Sequence, residues 1–319
     1  MKSTTDVMRR IIRRGVGTPA LRRAATLVAG LGNRAVILVY HRVGEAGLRR
    51  TELVPRVPES MLRTHIRVLQ ELGQIVPLDE LVDGSGGGGR PRFALTFDDD
   101  HPSHATEVLP LLTSLEVHGT FFLSGRGPLG LGPYWFELLE DALDGEGIEV
   151  IAARLGTSPT TVEDVALACE RDVERQRLLY ETTEPRYQPL DGPGIASLVR
   201  GGMAVGFHTV DHVPLTDLDD NSVKRALHEG RSDLDHLTGS PAVLLAYPHG
   251  KADGRVAALV RSAGYRAGFT GRPAPVGPRS DRYLLGRWEP GALDAAAFAQ
   301  RLVLRLLRPA RAIGRRWRP

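Results

Sequence analysis

The chain has one cysteine in 319 residues, Cys169, so no internal disulfide can form and a zinc site built on cysteines is excluded. Any metal site must therefore use histidines and carboxylates. No run of about 18 apolar residues is present, and the sequence predicts no transmembrane helix. Hydrophobic residues make up 42% of the chain and charged residues 25%, which is ordinary for a soluble globular protein with a sizeable core.

A convincing secretory signal is also missing, and the charge is unevenly distributed. The apolar stretch at residues 24–29 is short and follows several arginines. We therefore expect a cytoplasmic protein, with peripheral contact to the inner membrane face as an option. The net charge is +3, but residues 1–34 and 301–319 each carry +7, which leaves −11 for the middle of the chain.

The basic ends bear on the partners of the protein. A nucleic-acid-binding domain should carry its basic surface on the folded core, so we predict no nucleic-acid partner. The ends could instead contact an anionic membrane surface. In the C-terminal segment, Leu302, Leu306 and Leu307 alternate with arginines at helical spacing. We favour a terminal helix that docks through these leucines and exposes its arginines.

Apolar runs alternate with amphipathic segments along the middle of the chain. Strands are predicted at residues 35–41, 92–97, 119–124, 203–208, 242–247, 265–270 and 283–288. Helices are predicted at residues 59–73, 104–116, 219–237 and 253–263. This alternation predicts a mostly parallel sheet covered by helices, and the length suits one large α/β barrel. We assign the domain to residues 35–300, with a helical insertion at about 125–190 and basic segments at 1–34 and 301–319.

Candidate catalytic side chains stand at strand ends. Asp98, Asp99 and Asp100 are adjacent carboxylates that repel one another; a cation would offset this, and a helix-capping turn is the alternative. His208 and His212 are four residues apart and would point the same way on a helical turn, with solvated or core histidines as the alternative. Together these residues can form a triad around a metal with open positions. Zn²⁺ there could lower the pKa of bound water to about 7, and a second carboxylate could act as general base.

Four short motifs carry a resemblance to a known family. TFDDD at residues 96–100 and HTVDH at 208–212 resemble the first two motifs of the polysaccharide deacetylases, the NodB-homology domain of carbohydrate esterase family four. AYPHG at 246–250 is similar to the third motif, and VYHRV at 39–43 is similar to the opening strand of one bacterial subgroup. The motifs occur in the family's order and span about residues 35–290.

The resemblance implies a distorted (β/α) barrel and a metal-dependent hydrolysis of N-acetyl groups on sugars. By position, Asp98 would be the general base. Asp99, His208 and His212 would hold a divalent ion, which we expect to be Zn²⁺. The oxyanion would be stabilised by the metal and by a backbone N–H, that of Tyr247 or a near neighbour.

The chain departs from the family pattern at several places. Asp100 stands where the first motif usually has Gly, and Ala246 stands where the third motif often has an Arg that orients the base. Arg287, at a later strand end, could replace that Arg; a plain structural salt bridge is the alternative. No histidine follows His249, so the usual C-terminal motif with its acid histidine is absent. His41, at the end of the first strand, is then our first candidate for the general acid, with a solvated or structural role as the alternative.

Further side chains are candidates for substrate contact. His249 is a second candidate for the acid or for contact with substrate, together with its neighbours Tyr247 and Pro248. Trp135 and Tyr134 could stack on a sugar ring, although ordinary packing of an amphipathic helix is favoured, and Trp288 is a similar case. Among the histidines after the acidic motif, His101 could line the site and His104 is expected to start a helix.

Three functions remain open at this point. The leading hypothesis is a metal-dependent hydrolase that removes N-acetyl groups from an N-acetylated glycan or a lipid- or nucleotide-linked sugar precursor. The second is an amidase on another C–N bond of a small substrate, with a pocket reshaped by the insertion. The third is a catalytically weak glycan-binding protein, with Asp100 and Ala246 marking a degraded site.

Overall fold

The computed structural model describes residues 23, 26, 29–30, 33–44, 52–84, 89–158, 161–170 and 172–308. Within these ranges the strands are β1 (Ala35–Tyr40), β2 (Arg42–Val43), β3 (Arg56–Val57), β4 (Gln74–Ile75), β5 (Arg92–Asp98), β6 (Gly119–Leu123), β7 (Ala204–Phe207), β8 (Leu244–Ala246), β9 (Ala267–Thr270) and β10 (Leu285–Trp288). The α-helices are α1 (Glu59–Leu72), α2 (Leu78–Val82), α3 (Leu109–Ser114), α4 (Trp135–Glu146), α5 (Ile148–Arg154), α6 (Val162–Glu170), α7 (Val173–Thr182), α8 (Gly192–Arg200), α9 (Asp220–His228), α10 (Arg231–Thr238), α11 (Gly254–Ser262) and α12 (Ala295–Leu306).

Seven parallel strands close into a barrel in the order β1, β10, β9, β8, β7, β6 and β5. The barrel closes where β5 pairs with β1 over six residues, from Ala35 opposite Arg92 to Tyr40 opposite Phe97. The short β4 pairs with the start of β5, and β2 and β3 form a separate two-stranded sheet. This architecture confirms the predicted α/β barrel.

Side chains of the barrel strands alternate between two cores because successive residues of a strand face opposite sides of the sheet. In β1, Ala35 and Ile37 belong to a cluster that gathers residues of several strands inside the barrel, such as Phe122 and Phe269. The alternate residues of β1, namely Val36, Leu38 and Tyr40, pack outward against the helices. Both faces of the strands are thus buried, which explains their continuous apolar runs.

The insertion has a hydrophobic core of its own. Its helices α4 to α7 bury a third cluster that includes Leu139, Ile151, Val165, Cys169 and Leu179, all fully buried. The single cysteine is therefore a core residue, and burial raises the pKa of its thiol to about 11.

The prediction of a single helix at residues 219–237 was wrong, because this region forms two helices, α9 and α10. Gly230 has a φ of +72° and separates α9 from α10. Asp219 caps α9, because its side chain accepts from the amide of Ser222. The region predicted as a helix at 104–116 begins with a π-helical turn, His104–Val108. Helix α8 was not predicted; Asp191 caps it by accepting from the amide of Gly194.

The last described helix, α12, runs across residue 300 and docks on the barrel. Leu302, Leu306 and Leu307 are buried, and the guanidinium of Arg305 lies 4.1 Å from the centre of the Trp288 ring. This agrees with the interpretation of a docked terminal helix; residues 309–319 and most of residues 1–34 lie outside the described residues. No helix in the described part of the chain is both long enough and apolar enough to cross a membrane.

Candidate active site

The Asp98 carboxylate ends β5 and is held by Arg287 from β10. The two terminal nitrogens of Arg287 each donate to one oxygen of Asp98 at 2.6 Å, and both side chains are buried. Burial alone would raise the pKa of Asp98, but the charge of Arg287 outweighs it and lowers the pKa to about 2. Arg287 thus fixes the orientation of the Asp98 carboxylate, and it comes from a later strand than the third motif.

Asp99, His208 and His212 come together beside Asp98. One ligand atom from each of the three residues lies within 4.8 Å of the other two. Nε2 of His208 is 3.5 Å and Nε2 of His212 is 3.6 Å from Oδ1 of Asp99. The triad predicted from two distant motifs is therefore assembled in the fold.

Unusual backbone conformations aim these side chains. Asp99, Thr209 and His212 have φ values of +70°, +63° and +52°, in the left-handed region that non-glycine residues rarely adopt. The segment 208–212 is therefore an irregular turn, and the helical turn assumed from the spacing of the histidines was wrong. Strained residues of this kind concentrate at functional sites, where the surrounding structure holds them.

The three residues have the properties of metal ligands. Oδ1 of Asp99, the atom nearest to both imidazoles, is buried and has no hydrogen-bond partner. Nδ1 of His208 lies 2.9 Å from the carbonyl oxygen of Ala246, which leaves Nε2 directed at Asp99. Burial lowers the pKa of His208 to about 4, so its imidazole is neutral at pH 7 and can bind a cation. Burial raises the pKa of Asp99 to about 7, and a cation beside it would favour the ionised form.

His41 faces the same site from the end of β1. Its Nδ1 lies 2.9 Å from Oε1 of Glu289. Burial alone would lower the pKa of His41, but the hydrogen bond and charge of Glu289 raise it to about 9. His41 is therefore protonated at neutral pH, as an acid must be before it donates a proton.

Asp100 is a structural residue. Its carboxylate accepts from the amide of Ser124 at 2.8 Å, from the hydroxyl of Ser124 and from the amide of Arg126 at 3.0 Å. Its carbonyl oxygen accepts from the amide of Leu190. Asp100 thus joins the two ends of the insertion. The left-handed conformation of this motif is at Asp99, so Asp in place of Gly at position 100 carries no such penalty.

The third motif fulfils only part of its predicted role. The amide of Tyr247 already donates to the carbonyl of Phe269, and its hydroxyl donates to the carbonyl of Tyr283 at 2.7 Å. The prediction that the amide of Tyr247 stabilises the oxyanion was therefore wrong, since its amide and its hydroxyl both donate to backbone carbonyls. Pro248 is buried. His249, with a φ of +55°, lies in the cavity with its ring centre 4.7 Å from that of His212.

The aromatic candidates separate into one cavity residue and two packing residues. Trp135 lines the cavity and is half-buried. Tyr134 is buried between the guanidinium of Arg126 and the ring of His212, so its face is not available to a sugar. Trp288 is buried and stacks on Phe298, which excludes a stacking role.

The two histidines after the acidic motif pack around the site. His104 is fully buried, and its Nε2 lies 2.9 Å from the carbonyl oxygen of His41, where it supports the end of β1. His101 is buried, with Nδ1 2.8 Å from the hydroxyl of Ser103 and its ring against that of Tyr187.

The proposed metal ligands and the charged groups beside them border one cavity of about 680 Å³. Its lining includes His41, Asp98, Asp99, His208, His212, His249, Arg287 and Glu289. It also includes side chains that sequence reasoning missed, from the segment before β3 and from helix α6 of the insertion. Glu170 of α6, for example, lies 3.2 Å from Nζ of Lys251 and 3.8 Å from Nδ1 of His249.

A buried ion cluster behind the cavity was also missed. Arg42 donates to Glu140 at 2.5 Å and to Glu137 at 3.3 Å, and all three side chains are almost fully buried. Glu140 also accepts from the amides of Leu53 and Val54. The available signal was the pair of glutamates three residues apart on the otherwise apolar face of α4.

Comparison with protein families supports the resemblance. The family model described as polysaccharide deacetylase matches residues 85–144 and 180–268. The stretch between the matched segments, residues 145–179, lies inside the insertion and contains α5 and α6. A search of curated proteins gives no significant match.

Solved structures of deacetylases share the fold. The deacetylase PplD from Streptococcus pyogenes, solved in complex with acetate, has a TM-score of 0.60 at 14% identity, covering 86% of this chain and 98% of its own. IcaB from Ammonifex degensii has a TM-score of 0.56 at 19% identity, and the match covers 87% of this chain and 98% of IcaB. A polysaccharide deacetylase from Bacillus cereus has a TM-score of 0.56 at 15% identity, and the match covers 83% of this chain and 68% of that protein. The four motifs, the family match and the barrel agree, and the chain belongs to the polysaccharide deacetylase family, of the NodB-homology type.

Proposed function

We propose that the protein is a metal-dependent hydrolase that removes N-acetyl groups from an N-acetylated glycan or a lipid- or nucleotide-linked sugar precursor. The observation that carries the proposal is the convergence of Asp99, His208 and His212 on one point beside Asp98. One carboxylate and two neutral imidazoles with further positions open to solvent are a donor set typical of Zn²⁺ sites. We therefore propose Zn²⁺ as the cofactor.

Each side chain around this point has a proposed role. Asp98, ionised at neutral pH and fixed by Arg287, accepts a proton from the attacking water. A bound divalent ion would supply Lewis-acid polarisation of the acetamide carbonyl and activation of the water. His41, kept protonated by Glu289, donates a proton to the leaving amine. His249 is the second candidate for this acid, because it also faces the cavity.

Two other functions are less well supported. The hypothesis of a degraded binding site depended on Asp100 and on the missing arginine of the third motif. Arg287 occupies that place at Asp98, and Asp100 anchors the insertion, so neither departure removes a catalytic group. An amidase on another C–N bond uses the same residues and is separated from a sugar deacetylase only by its substrate.

Release of acetate from N-acetylglucosamine oligomers tests the proposal. We expect about one divalent ion per chain, which is lost in His208→Ala together with activity. Asp98→Asn should retain the ion and lower kcat by about 10²–10⁴-fold, the usual contribution of a general base. Unchanged acetate release in Asp98→Asn would mean that the base is misassigned. Hydrolysis of a small amide that carries no acetyl group, without acetate release from the oligomers, would favour the amidase.

We further propose a cytoplasmic location with peripheral contact between the basic termini and an anionic membrane. The support is the charge of +7 on each terminal segment against −11 in between. Because Leu302 and Leu306 are buried in the fold, a truncation that removes only residues 309–319 tests this contact without disturbing α12. The truncated protein should move from the membrane fraction to the soluble fraction, and an unchanged distribution would contradict the proposal.

A further inference from the structure

Helix α6 of the insertion turns two faces to different surroundings. On one face, Val165 and Cys169 are fully buried in the core of the insertion. The other face borders the catalytic cavity with residues spaced i, i+3, i+4 and i+7, namely Glu163, Ala166, Leu167 and Glu170. The core of the insertion thus determines which face of α6 is turned to the substrate.

A second apolar strip lines the cavity ahead of β3. It consists of Leu53, Val54 and Pro55. The amides of Leu53 and Val54 donate to Glu140 at 2.5 and 3.0 Å, and Glu140 is fixed by Arg42. A buried ion pair therefore holds this strip in place.

The strip, Ala166 and Leu167 of α6, and Trp135 together form what we call the apolar wall, with Glu163 and Glu170 at its edges. Its side chains are half-buried or exposed; Leu167 is 43% exposed. Sugar hydroxyls need hydrogen-bonding partners when they leave water, and Leu53, Leu167 and Pro55 offer none from their side chains. The apolar wall therefore fits an apolar group next to the reacting sugar rather than a further sugar unit.

The charges around the cavity favour an uncharged group. Glu163, Glu170 and Glu289 line it. Among the described lining residues, Arg287 is the only lysine or arginine, and both of its terminal nitrogens bind Asp98. His41 is paired with Glu289 and Lys251 with Glu170. A phosphate or diphosphate next to the sugar would therefore find no lysine or arginine of the described lining that is free to bind it.

We propose that the apolar wall selects an N-acetylated sugar that carries an apolar, uncharged aglycone. This inference depends on the proposed deacetylase function and specifies its substrate class. The apolar group belongs to the aglycone and not to the acyl group. An acyl group has to sit at the triad, where the ring of His212 is in contact with the rings of Tyr134, Phe136 and His249.

A series of β-glycosides of N-acetylglucosamine tests the inference. We expect kcat/KM to rise from the methyl to the butyl to the octyl glycoside, by about two- to fourfold for each methylene that the wall covers. The uridine diphosphate sugar should react more slowly than the methyl glycoside. Leu167→Ser should lower the ratio of octyl to methyl kcat/KM by about threefold or more. Leu237→Ser is the matched control, because Leu237 is a helical leucine that is 37% exposed and lies outside the cavity lining.

The outcomes separate this inference from the proposed function. Deacetylation of oligomers without preference for the octyl glycoside would overturn the aglycone subsite and leave the deacetylase in place. If N-octanoylglucosamine reacts faster than N-acetylglucosamine, the wall receives the acyl chain and the assignment to the aglycone is wrong. If no substrate releases acetate, calorimetric binding of the octyl glycoside to the Asp98→Asn protein, with and without Leu167→Ser, still decides whether the wall binds an alkyl chain.

Discussion

The two halves of the cavity differ in how the fold produces them. The charged half comes from strand ends, where Asp98, His208 and Arg287 meet because parallel strands of a closed barrel end on the same face. The apolar half comes from α6 and from residues 53–55, which belong to no barrel strand. Barrel topology determines the first half, whereas tertiary contacts of the insertion determine the second.

The halves are nevertheless connected through two polar contacts. Asp100, inside the first motif, accepts hydrogen bonds from Ser124 and Arg126 at one end of the insertion and from Leu190 at the other. Arg42, which follows His41 and begins β2, reaches into the insertion to bind Glu140. The catalytic strand ends therefore support the apolar wall.

Removing the charge of Glu140 should have the largest effect on the link between the two halves of the cavity. Glu140→Gln leaves the buried Arg42 with a weaker partner and costs about 3–5 kcal/mol of unfolding free energy. Urea unfolding measures this cost. Glu146→Gln on the same helix is the control, because its pair with Arg154 is exposed and should contribute less than about 1 kcal/mol. Equal losses in the two variants would show that the ion cluster does not hold the wall.

The Arg287→Lys variant should perturb the charged half alone. A lysine cannot donate to both oxygens of Asp98, so the carboxylate loses its fixed orientation, and we expect kcat/KM to fall by about 10–100-fold. The pKa of Asp98 should rise, which moves the acidic limb of the pH profile to higher pH. Arg266→Lys is the control, since Arg266 makes a comparable two-oxygen pair with Asp83 at the surface. An unshifted acidic limb would reduce Arg287 to a structural salt bridge.

The charged half could be predicted because its motifs follow recognisable strands. The apolar run before Asp98 and the run before His208 both predict buried strands, and parallel strands place their ends together. The backbone of the site could not be predicted in this way. The left-handed conformations at Asp99, Thr209 and His212 are rare for non-glycine residues, and most of all for a β-branched residue such as Thr209, so no local pattern predicts them.

The apolar half carried no comparable signal. Leu53 and Leu167 are ordinary hydrophobic residues, and only the burial of Val165 and Cys169 on the opposite side of α6 shows that Leu167 faces the cavity. Glu289 was missed for a similar reason, because its contact with His41 joins residues 248 positions apart. Contacts between residues so far apart in the sequence depend on the closed barrel, and no local sequence pattern predicts them.

Replacing Asp100 by the glycine usual in the family should weaken the connection between the halves. Asp100→Gly leaves the buried amides of Ser124 and Arg126 without this partner, which we expect to cost about 1–2 kcal/mol of unfolding free energy. The bound metal should be retained, because Asp100 is not part of the triad. Asp191→Gly, which removes an exposed helix cap, should cost only a few tenths of a kcal/mol. Loss of the metal in Asp100→Gly would place this carboxylate in the catalytic half instead.

The smallest expected effect is a shift in pH dependence from Glu289→Gln. The hydrogen bond and charge of Glu289 raise the pKa of His41 to about 9, so their loss should bring it back toward 6.5. A general acid must be protonated to act, and the alkaline limb of kcat/KM should therefore move to lower pH by about one unit or more, with activity below pH 6 little changed. Glu181→Gln, which breaks an exposed pair with Arg177, should leave the profile in place. If the limb moves in neither variant, His41 is not the acid, and His249 becomes the residue that completes the charged half.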